Sequence, residues 1–216
     1  MKTPTLRLVT PETPASENGT NRKSMPNRKA NDQLRGRSHL TEAEVTRLKA
    51  MAIKVNHYGF RDALMVSSAF RHGLRVRELV DLTWSQIDFA AGKLHVNRVK
   101  GSAPSTHMLQ GDELRSFRRL KREQQPPSPF VFTSERGGAP FTTAGFRKML
   151  ARLGVAAGIG FPLNPHMLRH GTGFQLANNG VDTRAIQDYL GHKSITNTVR
   201  YSRLSPERFK SFRWND

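Results

Sequence analysis

"NPHMLRHGTGFQLANNG", Asn164 to Gly180, is the stretch on which the reading of this chain turns. It reads as a helix beginning at Pro165, with His166 and Arg169 three residues apart and His170 directly behind. Three explanations compete: a metal site, a phosphate clamp, or a helix that merely carries polar residues. His166 and His170 lie four apart, on one helix face, as in an H-x-x-x-H metal pair. The metalloprotease form needs a glutamate beside the first histidine, where this chain has Met167. Arg169 would also set a fixed positive charge beside a dication. No metal is expected.

Composition favours the phosphate. Lys and Arg number 35 against 17 Asp and Glu in 216 residues, a formal charge of +18. Such a field attracts a polyanion, and nucleic acid is the commonest one. No apolar run is long enough to span a bilayer, no amphipathic helix offers a clean membrane face, and the N-terminus lacks a secretory apolar segment. No partner role for a membrane is expected. There is no cysteine, which excludes a disulfide framework and thiolate zinc sites and fits a cytoplasmic protein.

The chain divides into two parts. Residues 1–38 are rich in Pro, Asn, Ser, Thr and charge, with eight basic and three acidic side chains. They cannot bury enough apolar surface to offset ordering entropy, and read as a disordered basic tail. Residues 39–216 read as one α+β domain, mostly helical, with a small antiparallel sheet. Thr41 and Glu44 form a capping box opening the first helix. A second helix runs from about Phe60 to His72 and stops at Gly73, and a third begins near Arg75. "QIDFAAGKLHVNRV" reads as a hairpin turning at Ala91-Gly92, "STHML" as a third strand and "FVFTS" as a further short strand. "GDELRSFRRLKREQQ", "TTAGFRKMLARLGVAAG", "DTRAIQDYLGH" and "NTVRYSRL" read as helices, with Asp182 an N-cap.

A phosphodiester under displacement gathers charge on its non-bridging oxygens, and guanidinium groups hold these bidentately. Arg169 is one candidate and Arg75, at a helix start, a second. Lys100 sits past a strand in "NRVKGSAPS", His192 follows Gly191 at a helix end, and Tyr201 lies in "NTVRYSR". Taken singly, each is explained as a surface cation, a capping histidine or a core tyrosine.

Taken in order they are not. The series Arg75, Lys100, His166-x-x-Arg169, His192, Tyr201, in the contexts "GLRVREL", "HMLRH", "YLGH" and "VRY", resembles the tyrosine recombinase (phage integrase) family over roughly residues 40–205. "HMLRHGTGFQLANNGVDTRAIQDYLGH" and "KGSAPSTHML" resemble its short fimbrial phase-switch members, which lack a separate core-binding domain. The resemblance implies the recombinase catalytic-domain fold and a site-specific DNA strand-transferase that needs no cofactor. Tyr201 would attack a phosphodiester and form a 3′-phosphotyrosine. Arg75 and Arg169 would clamp the non-bridging oxygens, Lys100 would protonate the leaving 5′-oxygen, and His166 would bond the phosphate or accept the tyrosine proton. His192 would donate to a non-bridging oxygen. Glu78 and His170 are expected behind these, orienting the site. The implied partners are double-stranded DNA, further copies of the chain in a tetramer on paired sites, and in some systems a DNA-bending accessory protein. The implied place is the bacterial nucleoid. A type IB topoisomerase-like enzyme and a non-catalytic DNA-binding accessory protein are the alternatives.

Overall fold

A computed structural model describes residues 37–98, 103–134 and 138–203. The expected tail, apart from its last two residues, lies outside them, as do Lys100 and the segment after Arg203. The described elements in order are helices α1 (Glu42–Val55), α2 (Gly59–Arg71) and α3 (Val76–Val80), a 3₁₀ turn (Trp84–Gln86), strands β1 (Ile87–Asp88), β2 (Lys93–Val96) and β3 (Ser105–Met108), then α4 (Gly111–Glu123), α5 (Thr143–Ala156), α6 (Pro165–Asn178), α7 (Thr183–Leu190) and α8 (Thr196–Arg203). The strands form one antiparallel sheet in the order β1-β2-β3, with Leu94 opposite both Ile87 and His107.

Helix α2 is the axis of the body. Every residue from Gly59 to Phe70 except Phe60 is buried, and α1, α3, α4 and α6 all pack on it. The helix ends are written in the sequence. Thr41 and Glu44 exchange the expected reciprocal bonds, Thr41 N–H donating to Glu44 Oε2 at 2.9 Å. Asn164 accepts from the His166 N–H at 3.1 Å, with Pro165 pre-set in the first turn. Asp182 accepts from Arg184 N–H at 2.7 Å. Gly191 closes α7 in the left-handed conformation at φ 63°, where a side chain would also crowd Arg98 at 3.1 Å.

One expected element differs. "FVFTS" makes no strand. Val131 donates to Leu82 O while Phe141 donates to Phe132 O, leaving only isolated bridges, Thr83–Phe130 and Thr133–Pro140. The segment alternates between two partners, and Pro127 and Pro129 upstream remove ladder donors. Its apolar residues are nevertheless core, with Val131 and Phe132 fully buried.

Two apolar clusters result. The large one joins α1, α2, the sheet, α4, α5 and the start of α6. A smaller one, Phe174, Ala177, Ile186, Leu190 and Tyr201, ties together α6, α7 and α8.

Candidate active site

The site forms where the two clusters meet. Arg75 is the N-cap of α3. Its backbone N–H donates to Glu78 Oε2 at 2.9 Å and its guanidinium to Glu78 Oε1 at 2.7 Å. The carboxylate of Glu78, held below its usual range by hydrogen bonds and cations despite burial, therefore occupies the helix start and aims Arg75 inward. Arg75 also reaches Gly191 O, at 3.4 Å, beside His192.

Arg169 is 4% exposed and donates to two backbone carbonyls, Gly73 O and Leu190 O. Burial, then Arg75 and Arg98, push it down to about 9, which leaves it charged at neutral pH. Each terminal nitrogen keeps a second N–H for a ligand. One guanidinium thus pins the α2–α3 turn, α6 and the end of α7 together.

His192 is half-buried just past α7. Its Nδ1 lies 2.9 Å from the Thr198 hydroxyl, and burial with Arg169 and Arg75 lowers it to about 4. A neutral ring accepting at Nδ1 carries its proton on Nε2, which makes it a donor toward the site. Tyr201, 1% exposed on α8, stacks near His192 with ring centroids 6.3 Å apart and packs edge-on against Phe174. Its hydroxyl is 2.8 Å from His170 Nδ1. Burial raises the Tyr201 pKa, and Arg169 and Arg200 oppose the rise. His166 stands exposed on the first turn of α6.

The structure therefore brings Arg75, Glu78, Arg169, His170, His192 and Tyr201 of one chain into one neighbourhood, linked by hydrogen bonds and by the mutual influence of their charges. Lys100 is outside the described residues. Among the described residues no group of three or more metal-capable side chains occurs, and no helix is long and apolar enough to cross a membrane.

Sequence reading missed Arg98 and Thr198. Arg98, its side chain fully buried, donates to Glu78 Oε2 at 2.9 Å and to Tyr189 O, and touches His107 Nε2 at 3.4 Å. It joins α3, the sheet and the end of α7. Behind it runs a buried polar chain: His107 to His72 at 3.2 Å, and His72 to Glu113 at 3.0 Å, with Tyr189 stacked on His107. The available signal for Arg98 was its inward position in the alternation that buries Leu94 and Val96.

The comparisons with known proteins place the chain in a family. The model of the phage integrase family matches residues 38–208. The chain belongs to that family. It is 35% identical over 178 residues to the type 1 fimbriae regulatory protein FimE of Escherichia coli K12, covering 80% of this chain and 89% of that protein. It is 32% identical over 177 residues to the tyrosine recombinase XerD of Pseudomonas putida, covering 79% of this chain but 59% of the relative. Among solved structures, the XerA recombinase superposes with a TM-score of 0.68 at 29% identity, covering 79% of this chain and 62% of that one. As a member of this family the chain is a tyrosine-type DNA strand transferase with the recombinase catalytic-domain fold.

Proposed function

We propose that this chain is a site-specific recombinase that cleaves and rejoins double-stranded DNA through a 3′-phosphotyrosine on Tyr201. The observation that carries the reading is Tyr201 beside His192, with ring centroids 6.3 Å apart, and within the field of Arg169, which itself lies in the field of Arg75, all from one chain. Arg75, Arg98, Arg169 and Arg200 outnumber the carboxylate of Glu78 there by three, so the site carries excess positive charge suited to an anion. A phosphodiester supplies it.

The roles follow from chemistry and family together. Arg75 and Arg169, held by Glu78 and by two carbonyls, receive the non-bridging oxygens without reorganising. His192, accepting at Nδ1 from the Thr198 hydroxyl, would add a neutral donor from Nε2. His166 faces the approaching backbone. Lys100 is assigned the proton for the 5′-oxygen, a poor leaving group without one. The tyrosyl ester conserves the phosphodiester energy, so rejoining to a different 5′-hydroxyl needs no nucleotide cofactor. Exchange between two sites takes a tetramer, four copies supplying four tyrosines, with a DNA-bending protein where the sites must be looped together. Similarity to fimbrial regulatory proteins supports inversion of a segment ahead of integration or excision. The place of action is the cytoplasm, at the nucleoid.

The test is covalent trapping. Wild type and Tyr201→Phe are mixed, without added metal, with nicked suicide duplexes tiled from the DNA flanking the gene and from any inverted repeats there. An SDS-resistant adduct with wild type alone supports the reading. Adducts with both variants would move the nucleophile elsewhere. Tight complexes with no adduct in either would favour an accessory DNA-binding protein.

A further inference from the structure

Helix α6 presents His166, Arg169, His170 and Gly173 on successive turns of one face. The Tyr201 ring lies directly over Gly173. A Cβ there would come within 2.5 Å of Tyr201 Cε2 and 2.7 Å of Cζ, so only glycine leaves room for the ring. Phe174 closes the slot edge-on at 5.1 Å. Seated this way, the phenol has one direction in which to point, and its oxygen ends 2.8 Å from His170 Nδ1.

We propose that His170, rather than His166, takes the proton of Tyr201 during strand cleavage. The inference rests on the recombinase reading above and assigns one step within it. His166 is exposed on the first turn of α6, whereas His170 Nδ1 lies 2.8 Å from the reacting atom. In cleavage the Tyr201 oxygen bonds to phosphorus while its proton moves to His170 Nδ1. The bond from phosphorus to the 5′-oxygen breaks, and that oxygen takes a proton from the general acid expected at Lys100. Rejoining reverses each transfer. His170 returns its proton to the departing tyrosine, so protons balance over a full cycle.

The surroundings of His170 explain why the base is idle without substrate. The charged and titratable groups facing it are His39 ahead of α1, His166 and Arg169 on α6, and Arg200 and Tyr201 on α8, with His192 beyond the end of α7. Burial and this excess of cations lower His170 to about 4, so the imidazole is neutral, and its Nε2–H tautomer accepts at Nδ1 from the tyrosine hydroxyl. A ring that weakly basic holds the hydroxyl without removing its proton. A phosphate entering between Arg75 and Arg169 cancels much of the positive field, and the basicity of His170 rises with it. Substrate thus turns on the base that activates the nucleophile, and water in the empty site meets no phenolate.

The experiment is single-turnover adduct formation on the same nicked duplexes, across pH, with wild type, His170→Asn and His170→Ala. The asparagine amide oxygen can still accept the tyrosine hydrogen bond but is not basic, so it separates positioning from proton transfer. His170→Asn should bind DNA as wild type does and form adduct about 100-fold more slowly near neutral pH. The deficit relative to wild type should shrink as pH rises above 10, toward the raised pKa at which Tyr201 ionises unaided. Three results would overturn the proposal while leaving the recombinase reading intact: His170→Asn at the wild-type rate, His170→Ala alone slow, or a deficit equal at every pH. Absence of any adduct with wild type on every duplex would overturn both.

Discussion

The cations of this site and Tyr201, the proposed nucleophile, are held in different ways. Arg75, Arg98 and Arg169 are anchored in the body of the molecule. Arg98 bonds to α3, to β3 and to the end of α7, while Arg169 bonds to the carbonyls of Gly73 and Leu190. Tyr201 belongs to the small cluster of five buried residues, on an eight-residue helix that packs chiefly on α6 and α7. Charge stabilisation benefits from groups that do not reorganise when the phosphate arrives. A nucleophile that forms, holds and releases a covalent bond has to shift with its phosphorus, and moving elements come from the less stable end of a structure. The division of the core into two clusters serves both needs.

The severest way to break this comparison is to attack the body. Arg98→Met should destabilise the fold by about 3–5 kcal/mol, because Glu78 loses a buried charge partner and the Tyr189 carbonyl loses its donor. Adduct formation should be lost with it, since Glu78 aims Arg75. Denaturant unfolding gives the first quantity. A loss below about 1 kcal/mol would mean that Arg98 is no anchor.

Striking the corner should separate activity from stability. Gly173→Ala puts a methyl into the Tyr201 ring and turns the hydroxyl off His170. A misplacement of about 1 Å can cost on the order of 100-fold in rate. Adduct formation should fall by that factor while DNA affinity stays within about twofold. The helical gain from alanine, up to about 1 kcal/mol, offsets part of the clash, so stability should change little. A large loss of stability with little loss of rate would reverse the assignment of rigid and mobile halves.

Thr198→Val is a smaller cut. The side chain is fully buried and nearly isosteric, but the hydroxyl at His192 Nδ1 is gone. Both tautomers of His192 then become populated, and cleavage should slow about 10-fold, near the upper end of what one neutral hydrogen bond contributes. Nitrogen NMR of the His192 ring reads the tautomer directly. An unchanged tautomer with slowed cleavage would mean that Thr198 acts by another route.

How much of this was legible in the sequence follows the same division. Arg75, Glu78, Arg169, His192 and Tyr201 could be singled out because their order and local contexts carry a family resemblance, and the helix caps at Thr41 and Asp182 are local chemistry. His170 was seen but placed behind the site, since nothing local says that a ring on α6 meets an oxygen on α8, 31 residues away. Arg98 was invisible for the same reason. Its importance lies in three partners from distant segments, and in sequence it is one basic residue among 35. Nothing in the sequence singles out Gly173. Only the tyrosine ring above it explains the missing side chain. The strand expected at "FVFTS" failed because pairing is decided by partners, and this segment has two.

The subtlest test uses the buried histidines. His107, in the body, is pushed down from an ordinary value of 6.5 to about 3 by burial, His72 and Arg98. His170 and His192, in the corner, are lowered to about 4 by burial and nearby cations. A depressed histidine binds fewer protons folded than unfolded. Its stabilisation is therefore complete above about pH 6.5 and is lost as pH falls toward the folded value. Thermal stability should decline from about pH 6.5 downward, and His107→Gln should make that decline shallower. DNA then distinguishes the two regions. A bound phosphate cancels the field of Arg75 and Arg169 at the corner but does not reach the chain from His107 to Glu113. Target duplex should therefore flatten the part of the decline that His170 and His192 contribute, and leave the His107 part in place. If DNA flattened the decline equally with and without His107, the body and the corner would share one electrostatic response, and the separation of anchored cations from a mobile nucleophile would fail.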